Sequence, residues 1–456
     1  MSGALLCLLA FLTCFGSGVA NWRIGLCVLM GWGYFFGILK ANFVQSLGHF
    51  IFDAATVGFY ACLIVRQPSQ FEKMKWATIY PWVVALIVWP LFMAVVPLQH
   101  YLVQLVGLRG NVFWIPMLLV GSMLDATGRL FLAYAFAMLN CVAFGFSLAE
   151  YFLGVELFVP DNEVTQIVHL SSDIAGGHKR IPSTFTNAHS YAGTMVATVP
   201  WILGGILDKA KIKLPSFFGT PFLIAGLIAA VLGVFIAGPR SPVLILGMLV
   251  VFYVFRGGLN LGFLALVALV GGVVAYYVAQ DERMQRFTEL QDIEVIQWRL
   301  GISVNMNFFE VMANYPMGNG MGAGGTSLPY FIQGYLANEV ILENEYARIM
   351  LEQGLPGLFI MLSFIFWFVT RKVNKSREAQ STKKLLWFHA IITFMFGVIG
   401  IGMMTSVPTS AMFLMAIGYA TACLETTHLN PNLSLANQNY RRNVTMPAYQ
   451  RGMAKV

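Results

Sequence analysis

The sequence predicts an all-α polytopic membrane protein. The chain of 456 residues is 58% hydrophobic and only 11% charged, whereas a soluble domain carries about 25% charged residues. Its mean hydropathy is +0.70. Apolar runs of roughly 18 to 25 residues recur from end to end, each long enough to cross about 30 Å of hydrocarbon. Backbone polar groups in lipid must be satisfied within their own segment, so these runs are expected to be helices.

The runs place a bundle of about 12–13 transmembrane helices, at 3–20, 22–39, 47–65, 78–97, 111–126, 130–153, 188–206, 217–237, 242–255, 257–279, 354–370, 385–403 and 405–423. The first run lacks a basic segment ahead of it and is followed at once by another, which favours a first span over a cleaved signal. The stretch "LQHYLVQLVGLRGNVF" within 98–126 reads as re-entrant or interfacial. All six cysteines lie in apolar runs with no Cys-x-x-Cys pair, so they read as small core residues. The net charge of +7 does not signal nucleic acid, because the basic excess sits in short connections and a tail.

Lysine sets the orientation. "RQPSQFEKMK", "DKAKIK", "RKVNKSREAQSTKK" and the tail with Arg441, Arg442, Arg451 and Lys455 are basic and are expected in the cytoplasm. No lysine occurs between Lys213 and Lys372, and the segment 280–353 in that gap holds 10 of the 21 acidic residues. It is expected on the opposite side, together with 154–187. The chain thus divides into N-terminal spans (1–153), a first outer segment (154–187), central spans (188–279), a large outer loop (280–353), C-terminal spans (354–425) and a cytoplasmic tail (426–456).

Candidate chemistry gathers in the outer segments. In "HKRIPSTFTNAHSYAGTM", Arg180 precedes a span for which Thr186 or Asn187 supplies the N-cap, and the free N–H groups of that first turn favour an anion. Arg240, in "GPRSPV", lies at the outer end of two apolar runs; it reads as an anion ligand or as a snorkelling cation. Arg299, in "IQWRLGISV", is expected to pair with a phosphate or with a loop acid such as Glu310. "FFEVMANYPMGNGMGAGG" reads as a helix stopped by Pro316 and followed by a glycine loop. Gly320 and Gly322 there let the backbone approach a ligand or simply turn over the bundle. His169, His178 and His189 fit no metal-ligand spacing, so no metal and no cofactor are expected. In "LENEYARIMLEQG", Glu345, Arg348 and Glu352 fall on one helical stripe and are expected to form an ion-pair ladder, while Glu343 has no basic partner one turn away. Apart from Asp53 and Asp125, the span interiors read as nearly free of acids.

In order along the chain, "KRIPSTFTNAHSYAGTM", "GPRSPVLILGM", "QWRLGISVNMNFFEVMANYPMGNGMGAGG" and "ENEYARIMLEQGLPGLFIML" resemble the bacterial O-antigen ligase and polysaccharide polymerase superfamily. The resemblance covers about residues 180 to 365. It implies a GT-C-type bundle with a large periplasmic loop. It also implies a metal-independent glycosyltransferase of the bacterial inner membrane, which takes a glycan from an undecaprenyl-pyrophosphate carrier. The expected partners are that carrier-linked oligosaccharide, the lipid bilayer and a chain-length regulator protein.

By position, Arg180, Arg240 and Arg299 match the family's pyrophosphate-binding arginines. Arg299 and Glu343 are the candidate catalytic residues; Asn187, Asn344, Gly320 and Gly322 join the substrate-binding set. The family's usual histidine falls where this chain has Glu343, a departure that leans the reading toward a polymerase over a ligase. A lipid-linked glycan flippase is the alternative of another class. The acids from 343 to 352 are expected at the water-facing entrance of the site.

Overall fold

The computed structural model describes residues 3–43, 46–161, 165–166, 173–174, 178–208, 219–257, 271–272, 276, 280, 293–325, 328–337, 340, 342–371, 380–400 and 402–422. The helices are α1 Gly3–Ala20, α2 Trp22–Asn42, α3 Ile51–Arg66, α4 Gln70–Trp76, α5 Tyr80–Val95, α6 Tyr101–Val112, α7 Met117–Met123, α8 Ala126–Leu153 and α9 Ala188–Leu207. They continue with α10 Thr220–Ala237, α11 Arg240–Gly257, α12 Ile293–Gly301, α13 Glu310–Asn314, α14 Tyr330–Gln333, α15 Glu345–Thr370, α16 Gln380–Phe396 and α17 Thr409–Thr421. A π-helix, Ile302–Phe309, joins α12 to α13. A two-residue hairpin pairs Asp173 with Lys179 and Ile174 with His178.

Among the described residues, eight helices are long and apolar enough to cross a membrane, and Tyr80–Val95, Arg240–Phe255 and Thr409–Thr421 are shorter apolar helices. The protein is therefore an all-α multi-pass membrane protein. The expected span at 111–126 is corrected. Pro116 has no N–H to continue a helix, so α6 ends at Val112 and α7 begins at Met117, and together they form one apolar stretch, Tyr101–Met123. The expected span 257–279 lies outside the described residues, apart from isolated positions, and so do 281–292, 372–379 and 423–456.

Local sequence explains the helix starts. Asn21, Asp125, Asn187 and Asn344 each cap a helix by accepting a backbone N–H in the first turn. Close packing explains several glycines. A Cβ at Gly121 of α7 would collide with the Met415 carbonyl of α17, and one at Gly418 with the Leu118 carbonyl. With no hydrophobic gain between helices in lipid, such backbone contact supplies the dispersion that holds them.

Polar contacts sort the helix ends. At one end, Arg129 near the start of α8 bonds to the Gly204 carbonyl, to Asp208 after α9 and to Thr382 at the start of α16. Lys383 bonds to the Ala422 carbonyl after α17, and Arg23 of α2 pairs with Asp125 at 2.6 Å. At the other end, Ser183 before α9 bonds to Glu150 near the end of α8. Thr194 of α9 meets Thr409, which opens α17. The start of α15 bonds to Gly397, just beyond α16. The second end carries the candidate residues.

Candidate functional site

Asn344 opens α15. Its Oδ1 accepts the Tyr346 and Ala347 N–H groups at 2.9 and 3.1 Å, and its Nδ2 donates to the Ser303 carbonyl at 3.2 Å. That carbonyl belongs to the π-helix, a form that is rare and recurs at functional sites. Glu343 precedes the cap and is exposed, so it lies outside the helix that the sequence reading gave it. The Asn344 side chain is buried and spent on capping.

The stripe of Glu345, Arg348 and Glu352 forms as expected, but its setting is not. Arg348 donates to Glu345 at 2.7 Å and to Glu352 at 2.6 Å, and all three residues are 0% exposed. These acids are thus packed inside the bundle rather than at a water-facing entrance; Glu343 alone of the set meets water. Asn111 of α6 completes the cluster. It accepts from Arg348 at 3.1 Å and from Gln353 at 3.0 Å, and donates to Glu352 at 2.7 Å. The second oxygen of Glu345 accepts the Gly402 N–H at 2.8 Å. Three separate segments are tied to one guanidinium. The view of span interiors nearly free of acids is corrected accordingly: Glu150, Glu345 and Glu352 all lie buried in long apolar helices.

Just past the cluster, α15 breaks at Gly354, with φ 69° and ψ −175°. Such a conformation is essentially restricted to glycine. The break lets Met317 and Gly318 of the glycine loop lie against the Gly354 backbone. The Leu355 N–H donates to the Pro316 carbonyl at 2.9 Å, and the Asn319 N–H to the Leu351 carbonyl at 2.6 Å. Gly320 packs on Leu98 and Gln99, while Gly322, with φ 83°, packs on Val103 and Gly107 of α6. Both are buried, and their lack of a side chain serves contact with the chain itself.

Arg180 and the start of α9 are held from α8. Glu150 Oε2 accepts the Ser183 N–H at 2.7 Å, and Ser183 Oγ donates to the Ala143 carbonyl at 2.7 Å. The Arg180 guanidinium meets His189 Nε2 at 2.7 Å. Asn187 caps α9 by accepting the Ser190 N–H at 2.8 Å. Arg240 is the first residue of α11 and is half-buried. Its helix follows α10 after a two-residue turn, and so starts at the end of the bundle where α9 starts. Arg299 lies on α12, one turn ahead of the π-helix; its side chain lies outside the description.

The structure therefore brings Arg180 and His189 into direct contact, places the Asn187 cap at the start of the same helix, and places Arg240, Glu343 and Asn344 at helix starts on the same end. Sequence reasoning missed Asn111, Gln353 and Glu150. Glu150 was visible as an acid within the apolar run "FGFSLAEYFLG". Asn111 gave no local signal, because its partners lie more than 230 residues away. Compared with known proteins, the chain matches no family model and no curated protein sequence.

Proposed function

We propose that the protein is an inner-membrane glycosyltransferase that polymerises undecaprenyl-pyrophosphate-linked oligosaccharide repeat units on the periplasmic face. The observation that carries this reading is the gathering on one end of the bundle of Arg180, bonded to His189 in the first turn of α9, with Arg240 and Glu343 at helix starts, in segments whose order resembles the O-antigen ligase and polymerase superfamily. Guanidinium forks suit a pyrophosphate, and an exposed acid suits an acceptor hydroxyl. The hydroxyl oxygen bonds to the anomeric carbon while the bond from that carbon to the pyrophosphate oxygen breaks. Glu343 orients the hydroxyl and takes its proton, and the carrier leaves as its pyrophosphate, neutralised by the arginines. Arg299, by its place in the motif order, adds to that neutralisation. A ligase would run the same chemistry with a lipid A core as acceptor.

One observation favours a second reading, a lipid-linked glycan flippase: α15 is a broken helix beside buried charges, a combination found where transporters bind substrate. In this chain those charges are bonded to one another, which favours a structural anchor. The arginines test the transfer reading. Arg180→Lys, Arg240→Lys and Arg299→Lys keep the charge but lose the planar fork. Each variant is expected to lower polymer yield at equal protein level. Normal yield from all three would remove the pyrophosphate assignment.

A further inference from the structure

Ser183 sits in a backbone conformation that serine rarely adopts. Its φ is 53°, in the left-handed region where glycine, asparagine and aspartate predominate. It is the second residue of a turn that the Phe185 N–H closes on the Pro182 carbonyl at 3.1 Å. A turn with positive φ at that position usually carries glycine, asparagine or aspartate there. Strain of this kind persists only where the surroundings over-determine it. Two bonds to α8 do so: the Ser183 N–H donates to Glu150 Oε2 and Ser183 Oγ donates to the Ala143 carbonyl, both at 2.7 Å. From α2, the Ile38 N–H donates to the Thr184 carbonyl at 3.0 Å, and Gly37 lies so close to the Phe185 backbone that no Cβ fits. Residues 181–185 are buried throughout.

Glu150 is buried to make one of these bonds. Among the described residues no cation forms an ion pair with it, and its Oε1, also buried, has no hydrogen bond. An acid so placed in an apolar helix is costly and marks function by default. Stability alone favours another solution, because glycine at 183 takes a positive φ without strain. The candidate residues lie on either side of the turn. Arg180 precedes it, and His189 follows in the first turn of α9; the two side chains meet at 2.7 Å. The geometry of the turn therefore sets how the Arg180 guanidinium faces the start of α9.

We propose that Glu150 is a positioning residue: it locks Ser183 in the left-handed turn and so aims Arg180 at an anion beside the first turn of α9. Glu150, buried and bonded to Ser183, acts through Arg180 rather than on the anion itself. The proposal rests on the transfer reading for the identity of that anion, a pyrophosphate. A displacement of about 1 Å is enough to spoil such an alignment. Reach decides the hold. A carboxylate withdrawn by one methylene no longer meets the Ser183 N–H, whereas an amide oxygen at the original reach still accepts it.

The test uses the full chain purified in an uncharged detergent, with inorganic pyrophosphate binding measured by calorimetry. Glu150→Asp is expected to weaken binding by about tenfold, the equivalent of about 1.4 kcal/mol, and Glu150→Gln to retain most of the affinity. In an Arg180→Gln background Glu150→Asp should add no further loss, because the two residues act as one unit. In a Ser183→Gly background, where the turn needs no hold, Glu150→Asp should weaken binding by less than about twofold. That pair also serves if Glu150→Asp alone fails to fold: a folded Ser183→Gly, Glu150→Asp protein that has lost the affinity of Ser183→Gly overturns the proposal. So does wild-type affinity in Glu150→Asp, an equal loss in Glu150→Gln and Glu150→Asp, or a full tenfold loss added by Glu150→Asp to Arg180→Gln, which is the pattern of a merely structural residue. The transfer reading fails differently. Binding that is absent from the wild type, or unchanged by Arg180→Gln, removes the pyrophosphate assignment and the proposal with it. Binding that falls with Arg180→Gln but not with Glu150→Asp removes the proposal alone.

Discussion

Arg348→Met is the most informative single perturbation of the bundle. Arg348 holds Glu345 at 2.7 Å, Glu352 at 2.6 Å and Asn111 at 3.1 Å, all fully or nearly fully buried. Removing the guanidinium leaves two carboxylates facing one another without a counter-charge. Breaking a buried pair by deleting one partner costs about 3–5 kcal/mol, because the surviving charge is stranded. Asn111 and Gln353 still bond to each other at 3.0 Å, so no further polar loss is added there. Replacing the whole triad by Met and Leu removes the stranded charges; the Gly402 N–H loses its acceptor, a loss of about 1–3 kcal/mol for a buried donor, and Asn111 Nδ2 loses Glu352 but keeps the Gly107 carbonyl. The triple variant is therefore expected to be more stable than Arg348→Met alone. The assay is reversible unfolding of the purified protein by SDS in mixed micelles, followed by tryptophan fluorescence. A triple variant less stable than the single one, or an Arg348→Met protein within about 1 kcal/mol of wild type, would refute the reasoning.

Gly354→Ala should cost at least about 1–3 kcal/mol from its backbone conformation, and a Cβ there would also lie 2.6 Å from the Met317 carbonyl carbon. Gly31→Ala in α2 meets nothing within 4 Å and should be neutral or stabilising in the same SDS unfolding assay. Glu72 is tied to Arg66 at 2.8 Å and to the Ser69 N–H at 2.8 Å. Burial opposes its ionisation, but those bonds outweigh burial and hold its carboxyl below the ordinary 4.5. Stability from Glu72 is thus present above that value and lost as pH falls below it. Glu72→Gln should flatten that part of the acid-unfolding profile, and an unchanged profile would contradict the assignment. For sidedness, cysteine placed at Met317, 67% exposed, in a background without native cysteines, should be labelled from outside the cell. Cysteine at Lys73 should be spared, and the reverse pattern would put the candidate site in the cytoplasm.

Much of the fold was legible because lipid enforces helices and long apolar runs mark them. The ion stripe was legible too, since Glu345, Arg348 and Glu352 repeat at three and four residues. Its burial was not, because that depends on α6 and the glycine loop covering one face of α15, and neither contact leaves a mark near residue 348. The cap at Asn187 is legible from local chemistry, whereas Asn344, expected in the substrate-binding set, is itself a cap; in both, the side-chain oxygen that suggests a ligand is consumed by the first turn it opens. Gly320 and Gly322 pose the same ambiguity: a backbone free to approach a ligand is equally free to approach Leu98 or Val103. Pro116 ended α6 as its chemistry requires, though the apolar run through it concealed the break.

The central claim is that the end of the bundle carrying Arg180, Arg240 and Glu343 transfers sugars from a pyrophosphate carrier. The most direct measurement is product formation by the purified protein given undecaprenyl-pyrophosphate-linked repeat units in detergent, resolved as a ladder of chain lengths. The wild type should extend the units, and Glu343→Gln, folded and equally abundant, should be slower by about a hundredfold to ten-thousandfold, the usual worth of general-base help. Full turnover by Glu343→Gln, or no ladder from a folded wild type supplied with its cognate units, would contradict the account.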